Sequence, residues 1–132
     1  MREIPLQTER RTQLVNITED VRSALEGAQG ASAALVYVPH TTAGVTINER
    51  IDPDLVEDFE EAFQRIVGEE WSWRHVDADG PNAPAHVRAS LASPQVLVPL
   101  REGDLALGTY QGIFFCEFDG PRSRKVYVST LA

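Results

Sequence analysis

Hydrophobic residues recur at helical spacing in two stretches of the chain, and each stretch has residues that cap helices. The first helix is predicted to begin near Asn16, a good N-cap, and to stop at Gly27. The second is predicted to begin with Asp52 as N-cap and Pro53 at the first helical position, and to stop at Gly68. The apolar residues that form one stripe along the second helix are Leu55, Val56, Phe59, Ala62, Phe63, Ile66 and Val67.

Short apolar or alternating runs predict strands elsewhere. These runs cover residues 34–38, 45–47, 95–98, 109–118 and 125–129. Strands outnumber helices and do not alternate with them, which argues against a doubly wound nucleotide-binding fold. No GxGxxG or GxxxxGK[ST] motif is present either. The pattern predicts one α+β domain over residues 1–132, mostly antiparallel and sandwich-like, with two helices.

The segment from His40 to Glu49 predicts a strand with one unusually polar face. Alternate residues of a strand point to opposite faces, so Ala43, Val45 and Ile47 form the core side. The opposite side is small and rich in hydrogen-bonding groups. It consists of Thr42, Gly44, Thr46 and Asn48. This face, with His40 at its entrance, predicts a cleft for a ligand rather than an ordinary solvated surface.

The composition narrows the classes of partner. The 132 residues carry a formal net charge of −8, which argues against a nucleic-acid backbone as partner. No apolar run approaches the roughly 20 residues needed to span a membrane. The N-terminus lacks the order of a secretory signal, and a single cysteine cannot form an internal disulfide. A cytoplasmic protein is expected, with Cys116 as a buried, inert thiol.

Charged residues are unevenly distributed. The acidic residues between Asp52 and Glu70 are typical of a solvated helix face. Arg122, Arg124 and Lys125 form the only dense basic cluster, directly after a Gly-Pro turn. This cluster is either a solvated patch or a contact for an anionic ligand.

All three histidines, His40, His75 and His86, lie outside the predicted helices, and two of them flank a long loop rich in Gly, Pro and acid. Three neutral imidazoles from separate segments are a usual ligand set for a catalytic Zn²⁺ with one open position. No HExxH or CxxC motif joins two ligands locally. The spacing therefore leaves open both a shared metal site and scattered, hydrogen-bonded histidines.

A third segment with candidate chemistry covers residues 108–122. Gln111 and Glu117 fall on one strand face around an apolar centre. Glu117 and Asp119 are open to three interpretations: acid–base groups, residues that support metal ligands, or simply the end of a strand.

Together these segments resemble the YjbQ-like proteins, also called secondary thiamine-phosphate synthases. The resemblance covers nearly the whole chain and rests on HTTAGVTINE at 40–49 and GTYQGIFFCEFDGPRSRKV at 108–126. Between them the motif has a histidine, a loop and a second histidine that leads into a helix start of small residues, here at His75, Asn82, His86 and Ser90. Two departures are visible: Tyr110 where the family commonly has Trp, and Asn82 where some members have Asp.

The resemblance implies a jelly-roll-like subunit that assembles as a homotrimer with pockets near the subunit boundaries. It also implies a zinc ion held by His40, His75 and His86. The implied activity is that of a transferase, which condenses a hydroxymethylpyrimidine pyrophosphate with a thiazole phosphate and releases pyrophosphate. This activity is regarded as secondary in the family, so the native substrate, a small phosphorylated metabolite, stays open.

Hypothetical roles follow for the remaining motif residues. The catalytic candidates are Asn48, Glu49, Gln111 and Glu117, with either Glu49 or Glu117 transferring a proton. The ligand-binding candidates are Thr42, Asn82, Ser90, Arg122 and Arg124, and the two arginines would bind phosphate. Two alternatives use the same pocket: a metal-dependent phosphohydrolase and a non-catalytic metal- or anion-binding module.

Overall fold

A computed structural model describes residues 1–76 and 80–132 and confirms an α+β domain built on antiparallel sheet. In chain order the elements are β1 (Arg2–Gln7), β2 (Gln13–Asn16), α1 (Thr18–Ala24), β3 (Ala33–Tyr37), β4 (Ala43–Glu49), α2 (Pro53–Ile66), α3 (Ala83–Ala92), β5 (Gln95–Arg101), β6 (Asp104–Leu105), β7 (Gln111–Glu117) and β8 (Ser123–Leu131). All five predicted strands are confirmed, and β1, β2 and the short β6 are additional to them.

The strands form two sheets whose facing sides enclose the main core. One sheet has the strand order β1-β8-β3-β5-β6 and the other β2-β7-β4, and every pair is antiparallel. Alternate residues of each strand point between the sheets, and α1 with its two cap residues adds Ile17, Val21 and Leu25. Fully buried members of this core include Ile17, Val21, Val36, Val45, Ile113, Phe115 and Val126. Burial of these side chains provides the main stabilisation of the sandwich.

The three-stranded sheet is covered on both faces. Its outer face packs against α2 and α3 through a second apolar cluster. The members of this cluster include Leu14, Val56, Phe59, Phe63, Ala85, Ala89, Phe114, Cys116 and Phe118. Double coverage explains why the sequence of β7 is apolar on both faces. It also confirms Cys116 as a buried free thiol, and burial raises the pKa of that thiol to about 12.

Helix α3 is a third helix, additional to the two that apolar spacing predicts, and it lies where the resemblance implies a helix start. The buried residues of α3 are mostly alanines, which give no clear apolar stripe in the sequence. Small residues let α3 lie directly on β4: a Cβ added to Gly44 would come within 2.7 Å of the Ser93 carbonyl oxygen. Gly44 is therefore covered by a helix and not by a ligand. His86 lies on this helix, which corrects the prediction that no histidine is helical.

The other two helices are close to the prediction. Asp52 caps α2, and its side chain accepts a hydrogen bond from the Asp54 amide at 2.9 Å. Asn16 stands one residue further from α1 than an N-cap would, but its Oδ1 still accepts from the Thr18 amide at 3.0 Å. The acidic face of α2 is solvated as predicted except at Glu60, which is buried and paired with an arginine. Within the described ranges, no helix has the length and apolar character that crossing a membrane would require.

Candidate functional site

A cleft of about 730 Å³ opens where the loop after β3 meets the N-terminus of α3 and the segment that follows β7. It gathers most of the predicted binding residues and all three histidines. The polar and charged lining includes His40, Thr42, His75, Asn82, His86, Asp119, Arg122 and Arg124. The structure thus brings together three chain segments that the sequence analysis identified separately.

Helix α3 presents two of these residues on one face. Asn82 is its N-cap residue and His86 follows four positions later, so both side chains lie on the same side of the helix. The ring of His86 stands edge to face against the ring of His75, with centroids 5.1 Å apart and an interplanar angle of 89°. The N-terminal turn of α3 therefore brings one imidazole into contact with another that comes from the preceding loop.

His40 has a defined tautomer. Its Nε2 accepts a hydrogen bond from the Lys125 backbone amide at 3.0 Å, so the proton of the neutral ring is on Nδ1. Burial lowers the pKa of His40, and the nearby Arg124 charge adds to the effect. The cleft therefore contains an imidazole that stays neutral and can donate a hydrogen bond from Nδ1.

The histidines fit a shared metal ion only in part. The His75 and His86 rings, with centroids 5.1 Å apart, are near enough to each other to bind one zinc ion together. His40 does not fit in its present tautomer, because a metal ligand needs a free lone pair and the lone pair on Nε2 already accepts from Lys125. Among residues 1–76 and 80–132, no three His, Cys, Asp or Glu side chains are grouped closely enough to hold a metal ion.

Asp119 supplies the carboxylate that lines the cleft. Its Oδ1 accepts from Arg11 at 3.2 Å, and its Oδ2 accepts from Arg122 at 2.8 Å and from the Asn82 side chain at 3.1 Å. Asp119 is thus a hub that holds Asn82 and Arg122 in place. Sequence reasoning considered Asp119 without assigning it to the site, although its position three residues before Arg122, at a Gly-Pro turn, was a usable signal.

The two candidate phosphate-binding arginines differ in their surroundings. The Arg124 guanidinium is nearly completely buried and donates to Glu117 and to the Thr42 hydroxyl. Arg122 keeps 40% of its side chain exposed and bonds to Asp119 through Nε and Nη2, which leaves Nη1 for a ligand. Only the surroundings of Arg122 suit contact with a phosphate from the cleft.

Glu117 is placed behind the cleft wall. It is completely buried, and its carboxylate accepts bonds from Thr8, Arg124 and the two amides that follow it in the chain. A carboxylate satisfied on all sides in this way is suited to fix its neighbours and has no contact with a ligand through which to transfer a proton.

The remaining candidates lie away from the histidines. Glu49 and Gln111 are paired across β4 and β7, with Asn48 beside them, at the end of β4 opposite Thr42. Seven strand residues at ~3.4 Å each separate the two ends of β4 by about 20 Å. Gln111 lines a second cleft of about 660 Å³ together with Arg22 and Arg50. The Ser90 candidate is exposed on α3.

Arg88 is a residue that sequence reasoning missed. It is completely buried and donates to the carbonyl oxygens of Phe63 and Gln64 near the C-terminus of α2, and to Glu69. Burial alone would raise the pKa of Glu69, but hydrogen bonds from Arg11 and Arg88 lower this pKa below its ordinary value. Arg88 therefore fixes α3, and with it His86, against the end of α2.

The fold and the cleft define a two-sheet α+β protein with a histidine-lined site at one end of the sandwich. The chain belongs to the YjbQ-like family, since the sequence model of the family described as "UPF0047 protein YjbQ-like" matches residues 2–132. An Archaeoglobus fulgidus member is 42% identical over 98% of this chain and 99% of its own, and YugU of Bacillus subtilis is 39% identical over 99% and 98%. A crystal structure of a Clostridium acetobutylicum member superimposes with a TM-score of 0.92 at 39% identity, covering 99% of this chain and all of the other. The family resemblance read from the motifs is confirmed.

Proposed function

We propose that the histidine cleft is the active site of a transferase that acts on small phosphorylated metabolites, with thiamine-phosphate synthesis as an activity it can perform. One observation carries the proposal: His40, His75 and His86 line one cleft together with Asp119 and Arg122. Imidazoles, a carboxylate and an arginine in one cleft supply the proton-transfer and anion-binding groups that such chemistry uses.

In the proposed reaction, the pyrimidine-bearing carbon forms a bond to the thiazole nitrogen while its bond to the pyrophosphate oxygen breaks. The leaving pyrophosphate needs positive charge, which an acidic chain has to provide locally. Arg122 would bind it through Nη1, held in place by Asp119. His75 and His86 are the pair that would hold a divalent ion, and such an ion would add charge at the same place.

The far-end residues Asn48, Glu49 and Gln111 would take part only if a second copy of the chain brought them to a histidine cleft. Family resemblance implies a homotrimer, and the outer face of the five-stranded sheet supports self-association. Leu97 in the middle of this face is 60% exposed, and Tyr37 and Leu131 are also exposed. A second copy that covers this apolar face would remove it from water.

The proposal is tested by assaying purified protein with both substrates together and with each substrate alone. The proposal expects thiamine phosphate and pyrophosphate in equal amounts, only when both substrates are present. Phosphate or pyrophosphate released from the pyrimidine substrate alone would identify a phosphohydrolase. Binding without product in any combination would identify a non-catalytic module. The Asp58→Asn variant, which changes an exposed residue of α2, is the control for preparation effects.

A further inference from the structure

Asn82 carries a buried hydrogen-bond acceptor without a partner. The residue is 7% exposed, and its Oδ1 accepts no hydrogen bond from the described part of the chain. An acceptor left in this state destabilises the fold relative to a satisfied one. Native proteins rarely keep such a group without a functional reason. The Asn82 side chain also lines the histidine cleft.

The orientation of the Asn82 amide is fixed by chemistry. Its Nδ2 donates to Asp119 Oδ2 at 3.1 Å, and exchanging the nitrogen and oxygen would place two acceptors against each other. Asp119 is itself held by Arg11 and Arg122. Oδ1 is therefore the atom left unsatisfied. Asn82 also makes no side-chain cap bond to α3, which is the usual role of an asparagine at this position.

His40 provides the complementary group on the same cleft. Because Nε2 accepts from the Lys125 amide, Nδ1 carries a proton, and no hydrogen bond of Nδ1 to a described residue is present. The cleft thus contains one fixed acceptor, Asn82 Oδ1, and one fixed donor, His40 Nδ1–H. Both are uncharged groups.

We propose that Asn82 and His40 together determine ligand specificity by recognising a nitrogen heterocycle that carries an amino group beside a ring nitrogen. The amino group donates to Asn82 Oδ1, and the ring nitrogen accepts from His40 Nδ1–H. A phosphate ester is a poor partner for Asn82 Oδ1, because at neutral pH it is mostly dianionic and offers few hydrogen-bond donors. The inference rests on the proposed function, and it assigns the pyrimidine half of the substrate to this part of the cleft and the phosphates to Arg122.

The test compares two probes: 4-amino-5-hydroxymethyl-2-methylpyrimidine, and the same compound with a methyl group in place of the amino group. Dissociation constants are measured by NMR titration for the full-length protein and for Asn82→Leu. Asp58→Asn is the control, and thermal melting checks the fold of each variant. We expect the methyl probe to bind wild type about tenfold more weakly, since one hydrogen bond is lost. Asn82→Leu should bind the two probes equally.

A second comparison decides the inference if Asn82→Leu does not fold. The second probe is a pyridine, in which the ring nitrogen beside the amino group is replaced by C–H. Wild type should bind this pyridine about tenfold more weakly than the pyrimidine. The His40→Phe variant should bind the pyridine and the pyrimidine with equal affinity. Equal affinity of wild type for the paired probes, discrimination that persists in the variants, or no binding of any probe would overturn the inference. If the difference in affinity between the paired probes depends on Asn82 and His40 but no thiamine phosphate forms, the recognition site is supported and the protein catalyses a different reaction. If thiamine phosphate forms but discrimination is independent of both residues, the inference alone fails.

Discussion

Arg124 and Glu117 form a buried ion pair directly behind the histidine cleft. Arg124 Nε donates to Glu117 Oε1 at 2.8 Å, and a second bond joins Nη2 to Oε2. The side chains are 6% and 0% exposed. The same arginine donates to the Thr42 hydroxyl, which lines the cleft. The pair therefore connects the wall of the site to the ends of β7 and β8.

Removing the charge of Glu117 should destabilise the fold strongly. In Glu117→Gln the Arg124 charge stays buried without its counter-ion, and we expect the free energy of unfolding to fall by about 3–5 kcal/mol. Urea denaturation measures this change. Glu61→Gln is the matched control, because Glu61 pairs with Arg65 on the surface of α2 and should change stability by less than about 1 kcal/mol. Similar losses in both variants would contradict the structural role of Glu117.

His40 should titrate below the ordinary histidine pKa of about 6.5. Burial and the Arg124 charge disfavour its protonated form in the folded protein. Its contribution to stability is therefore complete above the unfolded pKa and is lost as pH falls through the lower folded pKa. NMR of the imidazole resonances gives the pKa directly. In denaturation at pH 7.5 and 5.5, His40→Gln should lose less stability with acid than wild type; an equal or larger loss would argue against this assignment.

Binding of a divalent ion should require His75 and His86. It should not require His40, whose Nε2 accepts a hydrogen bond from the Lys125 amide. Chelator-treated protein reloaded with zinc should hold about one ion per chain, measured by elemental analysis. His86→Ala should hold none, whereas Asp58→Asn should match wild type. Failure of wild type to take up zinc, or full loading of the variant, would contradict a shared site at this pair.

The exposed face of the five-stranded sheet should be an interface between copies of the chain. Leu97 stands opposite Leu35 of β3 and is exposed on this face. An aspartate at position 97 would lose its hydration when a second copy covers the face, so it should weaken the interface. We expect wild type to sediment as a trimer and Leu97→Asp to shift toward monomer in analytical ultracentrifugation. Glu102→Gln, a change in the turn beyond β5, should remain trimeric. A monomeric wild type, or an unaffected Leu97→Asp variant, would contradict this assembly.

Elements with strong local signals could be predicted from the sequence, and those that depend on distant contacts could not. Helix α2 has a capping aspartate, a proline at its start and an apolar stripe, and it lies where predicted. Helix α3 also has a proline in its first turn, but it has no side-chain cap bond and no clear apolar stripe, and its small residues pack against Gly44 of β4. The short β2 is fixed by pairing with β7, about a hundred residues away in sequence.

The sequence likewise identified part of the candidate site and could not show how its residues are arranged. The motifs identified His40, His75 and His86, and the structure places them on one cleft. Sequence spacing could not show that Glu117 is buried behind the cleft wall or that it neutralises Arg124, because these facts depend on how β7 and β8 pack. It also could not separate Glu49 and Gln111 from the histidines, since the two ends of a strand are adjacent in sequence but distant in space.

The most direct test of the histidine cleft as an active site is the kcat/KM for thiamine-phosphate formation in His86→Ala, measured beside wild type and Asp58→Asn. We expect the His86 variant to lose about 100-fold or more, as befits a group that takes part in the reaction, and Asp58→Asn to match wild type. A His86→Ala variant that folds normally and retains the wild-type kcat/KM would contradict the assignment of catalysis to this cleft.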